Sequence, residues 1–228
     1  MTLTFLNVGT VVVGSLLGLT VGKRLPQAMV NLIFQGMAAL TLYLGIDMLM
    51  KSQSPIILIL SIVIGGLIGE GVRIDKWMDR LGHGLKKIIP GDNDRFNEGL
   101  LTAFMLYCIG TMAFVGPLEE GLTGHSDLLL TKAILDGFSS IILCSRLGVG
   151  VLFSILPMFL FQASISLFAT SIKDSISKSM LNEMTAAGGI LMILLAVVLL
   201  ELKEIRVINL LPALLVAMFL AYLFQIGI

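Results

Sequence analysis

Long runs of apolar residues alternate with short polar connections from one end of this chain to the other. Each run is close to the roughly 20 residues a helix needs to cross a bilayer. Eight are read, at residues 3–22, 29–50, 55–72, 96–116, 128–145, 147–169, 185–201 and 207–226. The one long connection, "RIDKWMDRLGHGLKKIIPGDNDR", covers residues 73–95. In it Ile74, Trp77, Met78, Leu81, Leu85 and Ile88 recur at helical spacing, with charges on the other face. That predicts an interfacial amphipathic helix near 73–90. Trp77, the single tryptophan, suits the headgroup boundary, and Pro90-Gly91-Asp92 ends the helix before the fourth run. It reads first as an anchor, with a regulatory or partner-binding surface as the alternative. A second departure is "GTMAFVGPLEEGLTGHSDLLLTKAILDGFSSIILCS", residues 110–145. Gly116-Pro117 predicts a break in the fourth span. The fifth run is short and charged, so a re-entrant hairpin over 118–146 stands as the alternative to a full span.

Composition turns this pattern into a class. Of 228 residues, 57% are hydrophobic and 13% charged, and the mean hydropathy is +1.00. Soluble domains carry about 25% charged residues. The fold expected is therefore all-α, a polytopic transmembrane helix bundle of about eight spans, with residues 1–228 as a single membrane domain. The formal charge is zero and gives no footing for nucleic acid. The first run has no basic residue ahead of it and Lys23-Arg24 behind it, the reverse of a cleavable signal. With the N-terminus outside, the inner connections hold 11 basic residues and the outer ones only Lys51, Lys132, Lys173 and Lys178. The positive-inside rule then sets both termini outside and 73–95 on the cytoplasmic face.

A faint repeat runs through the first half. "GSLLGLTV" (Gly14–Val21) aligns with "GGLIGEGV" (Gly65–Val72) at four of eight positions. Each is followed by basic residues and a helix with Tyr and Gly near its middle, Tyr43/Gly45 and Tyr107/Gly110. Helix pairs 3–50 and 55–116 therefore read as two copies of one unit. A weaker echo links "QGMAALTLYLGIDML" to "AAGGILMILLAVVLL" in opposite orientation, as in inverted-repeat transporters. Gly14, Gly18 and Gly22 repeat every fourth residue, as do Gly65 and Gly69. Small residues at that spacing let helix backbones approach closely in lipid. One motif is expected to pack within the subunit; the other is available to join subunits into a homo-oligomer, most simply a dimer.

Ionisable groups inside a membrane cost about 2.5–3.5 kcal/mol each on insertion scales. Asp47, Glu70, Glu98 and Glu201 lie near span ends and read as interfacial. Asn7, Asn31, Gln35, Gln162 and Asn209 read as hydrogen-bonding glue between helices. Lys132 and Asp136 differ: spaced i, i+4 on one face, in the order that helps a helix least. Either they neutralise each other or they line a pathway. On the second reading they sit on a short helix facing a polar cavity, with Ser139 and Ser140 a turn further, Glu119 and Glu120 at its mouth and Asn7 as a further binding residue of the same site. A cation or proton reaching Asp136 would then compete with Lys132 for the carboxylate, since broken helices beside acidic residues are the usual ion sites of transporters. Cys108 and Cys144 read as buried free thiols. His83 and His125 lack companion ligands, and no phosphate loop, GxSxG or HExxH is present. No metal, no cofactor and no enzymatic activity are expected.

The segments "GTMAFVGPLEEGL", "DLLLTKAILDGFSS" and "LGVGVLFSILPMFLFQ", with the opening "LNVGTVVVGSLLGL", resemble the YqgA/YdfK-like family of prokaryotic membrane proteins, whose function is uncharacterised. The matching positions are Asn7, Gly110, Met112, Gly116, Gly121, Lys132, Asp136 and Gly137. The resemblance implies a multi-pass protein of the cytoplasmic (inner) membrane. Two functions are carried forward. A transporter or channel for a small ion or solute is favoured by the charged, broken region. A non-transporting scaffold or partner subunit, contacting only lipid and protein, is favoured by the lack of a continuous row of polar residues across several spans. The topology is tested by reporter fusions at residue 85: cytoplasmic activity is expected, and an external reporter overturns it.

Overall fold

The structure is a computed structural model, describing residues 2–22, 26–86, 95–109, 111–172 and 176–226. Its elements are α1 (Thr2–Gly22), α2 (Gln27–Leu49), α3 (Pro55–Val72), α4 (Ile74–Lys86), α5 (Phe96–Cys108), α6 (Thr111–Thr123), α7 (Asp127–Leu147), α8 (Gly150–Phe153), α9 (Ile155–Ile172), α10 (Lys178–Leu199), a short 3-10 turn (Val207–Leu210) and α11 (Pro212–Ile226). Seven helical segments are long and apolar enough to cross a membrane, or up to eight if α5 and α6 count as one bent span. The protein is thus a polytopic helical bundle. The amphipathic segment forms α4, with Trp77 exposed and Met78 buried. Ile88 and the Pro90-Gly91-Asp92 stop lie outside the described residues.

Two local expectations are corrected. The fourth span does not break at Gly116-Pro117, because α6 runs through both and the break falls earlier, between Cys108 and Thr111. Pro117 removes one backbone bond, to the Ala113 carbonyl, and a membrane helix with neighbours tolerates that. Nor is the fifth run short. Helix α7 has 21 residues, so Lys132 and Asp136 ride on a full-length span. It starts where Ser126 accepts a hydrogen bond from the Leu129 N–H and ends at Gly148, whose positive φ of 76° a side chain would oppose.

The chain falls into two compact units. The first comprises residues 1–37, 78–108 and 112–173. Its spine is α1 running parallel to α7. A Cβ on Gly14 would overlap the Gly137 carbonyl oxygen, and one on Gly18 would overlap that of Ile141. Helices α5, α6, α8 and α9 also belong to this unit; Gly150 meets the Phe96 carbonyl and Gly121 that of Ser166. The second unit comprises residues 38–77, 109–111 and 174–228. There α3 runs antiparallel to α11 and the turn before it, Gly65 meeting the Ala213 backbone and Gly69 the Asn209 carbonyl. Gly45 and Gly189 bring α2 and α10 equally close. Gly14, Gly18, Gly65 and Gly69 are therefore all packed against neighbouring helices inside the chain. The packing of Gly22 lies outside the described residues.

The second unit also fixes the corner between α3 and α4. Arg73 turns the chain with a left-handed φ of 57°. Arg206 bonds Glu70 at 2.8 Å and Asp75 at 3.4 Å, while the Asn209 side chain accepts from the Asp75 N–H and donates to Glu70. Burial pushes the Asp75 carboxyl up, but hydrogen bonds from the Lys76 backbone, Asn209 and Arg206 outweigh it and hold Asp75 below its ordinary value.

The packing and the corner can each be tested. Gly14→Ala or Gly18→Ala should overpack the α1–α7 contact, costing about 1–3 kcal/mol in detergent unfolding. Gly9→Ala, where a Cβ meets nothing within 4 Å, should be neutral; equal effects at all three would refute the contact. A lowered folded pKa stabilises above the unfolded carboxylate value of about 3.9 and is lost as pH falls through the folded one. Arg206→Met should therefore lower stability at neutral pH and shrink its loss on acidification below pH ~4; an unchanged acid limb would remove Asp75 from this role.

Candidate functional site

In the first unit, helices α1, α5, α7 and α9 each bring polar side chains to one interior seam. Asp136 lies nine residues after Asp127 in the 21-residue α7, close to half-way along the span. Its carboxylate pairs directly with Lys132 one turn before. Side-chain exposures of 6% and 9% place both inside the protein. From α1, Asn7 donates its Nδ2 to Asp136 at 3.2 Å and to Gln162 Oε1 of α9, also at 3.2 Å. The Lys132 ammonium lies 5.9 Å from the centre of the Tyr107 ring on α5, within cation–π range. Tyr107 Oη and Ser140 Oγ are 2.8 Å apart, and Ser140 donates to the Asp136 backbone carbonyl. Tyr107 is then the donor to Ser140, and that small chain is complete.

The geometry follows from the helix packing. Close approach of α1 to α7 at Gly14 and Gly18 puts Asn7 two turns up the same α1 stripe, facing α7. Thr10 seals the approach by donating to the Ala133 carbonyl at 2.7 Å. Asn7, Gln162, Lys132 and Asp136 are all at most 7% exposed. Two atoms in this cluster have no partner: Asn7 Oδ1 and Gln162 Nε2.

Of the residues the sequence assigned to this site, Asn7, Lys132, Asp136 and Ser140 do come together. Ser139 is only half-buried and makes no hydrogen bond to the cluster. Glu119 and Glu120 are corrected: neither touches the Lys–Asp pair. Glu119 accepts from Ser126 at 2.8 Å and braces the corner before α7. Glu120, 1% exposed, accepts from the Leu3 and Thr4 N–H groups and from the Thr4 hydroxyl. The first N–H groups of a helix lack partners within it and attract negative charge, and this outcompetes a pathway mouth for the carboxylate. Gly110, one of the positions carrying the family resemblance, lies outside the described residues.

Two participants in the site are not visible as such in the sequence. Gln162 and Tyr107 read as glue and as a repeat marker, because only the tertiary fold sets them beside Asp136. Glu183, an acidic residue at the head of an apolar run, has a role outside this site that the sequence does not reveal. In the second unit it accepts from the Gln53 and Ser54 N–H groups at 2.7 and 3.0 Å and from Ser52 Oγ at 2.9 Å. It thus does for α3 what Glu120 does for α1. The two segments aligned by the sequence repeat share a structural role: a glycine face and a start held by a buried glutamate from another helix.

Comparison with known proteins agrees with the resemblance. The chain is 34% identical over 217 residues to the Uncharacterized membrane protein YdfK of Bacillus subtilis (strain 168), covering 93% of this chain and 92% of that one. It is 28% identical over 222 residues to the Uncharacterized protein YqgA of Escherichia coli (strain K12), covering 94% and 93%. No solved structure matches. A family match spans residues 2–222, and the chain belongs to the family described as Protein of unknown function (DUF554).

Proposed function

We propose that this protein is a transporter or channel for a small ion or solute, with Asp136, Lys132, Asn7 and Gln162 forming its polar site. One observation carries the reading: half-way along a membrane helix, beside an ion pair, two amide atoms are buried without partners. Native proteins rarely leave such atoms unpaired, and lipid offers them no partner. A site visited by a polar species explains why the cost persists. The seam itself supports the reading too, since polar residues from four helices meet along it. The protein would work in a prokaryotic cytoplasmic (inner) membrane, both termini outside, without catalysing a reaction. A homo-oligomer, most simply a dimer, suits a chain of 228 residues, but it needs a surface other than the glycine stripes.

The direct contact between Lys132 and Asp136 favours a second reading, a scaffold in which the pair only neutralises itself. Removing one partner of a buried pair costs about 3–5 kcal/mol, whereas replacing both by apolar residues is often neutral. Asp136→Asn and Lys132→Met should each lower the unfolding temperature, and Lys132→Met/Asp136→Leu should recover it. Purified parent and variants would be reconstituted in liposomes and assayed for flux of a panel of salts and uncharged solutes. Transport predicts flux in the parent and none in the stable double variant. Flux from the double variant equal to the parent's, or no flux from the parent for any solute, would leave the scaffold.

A further inference from the structure

The cluster around Asp136 is specific about the chemistry it presents. A carboxylate can only accept, so Asn7 must turn its Nδ2 towards Asp136; the reverse would set oxygen against oxygen at 3.2 Å. That same Nδ2 faces Gln162 at 3.2 Å, so Gln162 must answer with Oε1. Asp136 therefore fixes both amides through one chain of hydrogen bonds. What remains is determined: one free acceptor, Asn7 Oδ1, and one free donor, Gln162 Nε2. Each belongs to an amide in the Asn7–Gln162 contact, so the two free atoms lie close enough for one small molecule to bridge. Met158, fully buried, sets its Sδ 4.0 Å from Asn7 Nδ2 beside the same amide.

Charge narrows the occupant further. Among the described residues, the charged groups in the cluster are Lys132 and Asp136, both on α7; the groups from α1, α5 and α9 are Asn7, Tyr107, Cys108, Gln162 and Met158, none of them a standing charge. The pair is neutral as it stands. A cation drawn to Asp136 has to displace Lys132, and an anion drawn to Lys132 has to displace Asp136. Either leaves one buried partner uncompensated, which is the expensive outcome for such pairs. A molecule without net charge leaves the pair closed and satisfies two atoms that otherwise go without.

Resting on the transport reading above, we propose that Asn7 and Gln162 bind a small uncharged solute carrying a hydrogen-bond donor and an acceptor. The solute donates to Asn7 Oδ1 and accepts from Gln162 Nε2. Asp136 is a positioning residue that orients the amides and does not itself touch the solute. A primary amide matches the two atoms reciprocally.

The test is stopped-flow light scattering of proteoliposomes loaded against acetamide, urea, sodium chloride or choline chloride, with protein-free liposomes as the baseline. Parent protein should speed re-equilibration of acetamide and urea and leave both salts at baseline. Gln162→Met keeps the side-chain length and removes both the free donor and the bond to Asn7. It should cut the acetamide rate about tenfold, the worth of one lost hydrogen bond, while thermal stability holds or rises because an unpaired buried N–H has gone. Gln162→Glu, which exchanges the donor for an acceptor, should lose acetamide flux as well. Salt flux without acetamide or urea flux would overturn this proposal and keep the transport reading. Faster water movement alone would also overturn it, assigning the two atoms to water. No flux of any kind would sink both. Gln162→Met that loses stability and flux together, with Asn7→Leu retaining parental acetamide flux, would reduce the amides to packing.

Discussion

Within a bilayer a buried polar atom can be paired only by the protein, and most of this architecture answers that constraint. The starts of α1 and α3 present N–H groups with no partners in their own helices. Each is met by a carboxylate from elsewhere in its unit, Glu120 for α1 and Glu183 for α3. Both helices then lie against a neighbour through glycines, so close that a single added carbon would overlap backbone. Apolar surface gives helices no reason to associate in lipid; close packing and buried hydrogen bonds do. The glycine stripes and the two glutamates therefore act together, one setting the distance and the other the end point of each helix.

The Asp136 cluster depends on the same device. Because α1 is held against α7 along Gly14 and Gly18, Asn7 reaches across to the carboxylate and can relay its demand to Gln162 on α9. The network is satisfied on its structural side, where Tyr107, Ser140 and the Asp136 backbone form a closed chain, and open on the other. A partly satisfied network is worse for stability than an apolar core. The polar corner in the second unit contrasts with it. Glu70 and Arg206 are more than half exposed, water can complete their bonds, and such pairs contribute modestly. That corner shapes the α3–α4 turn; the Asp136 cluster, buried at mid-helix, leaves Asn7 Oδ1 and Gln162 Nε2 without partners.

Length and hydropathy determined the class and the helical content of this protein, because a bilayer sets one thickness and one polarity that every span must meet. The i, i+4 spacing likewise put Lys132 and Asp136 on one face, since that pairing is local to a single helix. The glycine stripes announced close helix contacts for the same reason. Partners were another matter. Glu120 sits beside a second glutamate in a segment whose Gly-Pro step looks like a break, yet its bonds reach Leu3 and Thr4, more than a hundred positions away. Asn7, Gln162 and Tyr107 are ordinary polar residues in apolar helices until α1, α5 and α9 close around α7. The sequence shows which residues are too polar for lipid; only the tertiary structure decides whether each is spent on a helix end, closed into an ion pair, or left with an atom free. That choice rests on contacts between helices far apart in the chain, which local pattern does not encode.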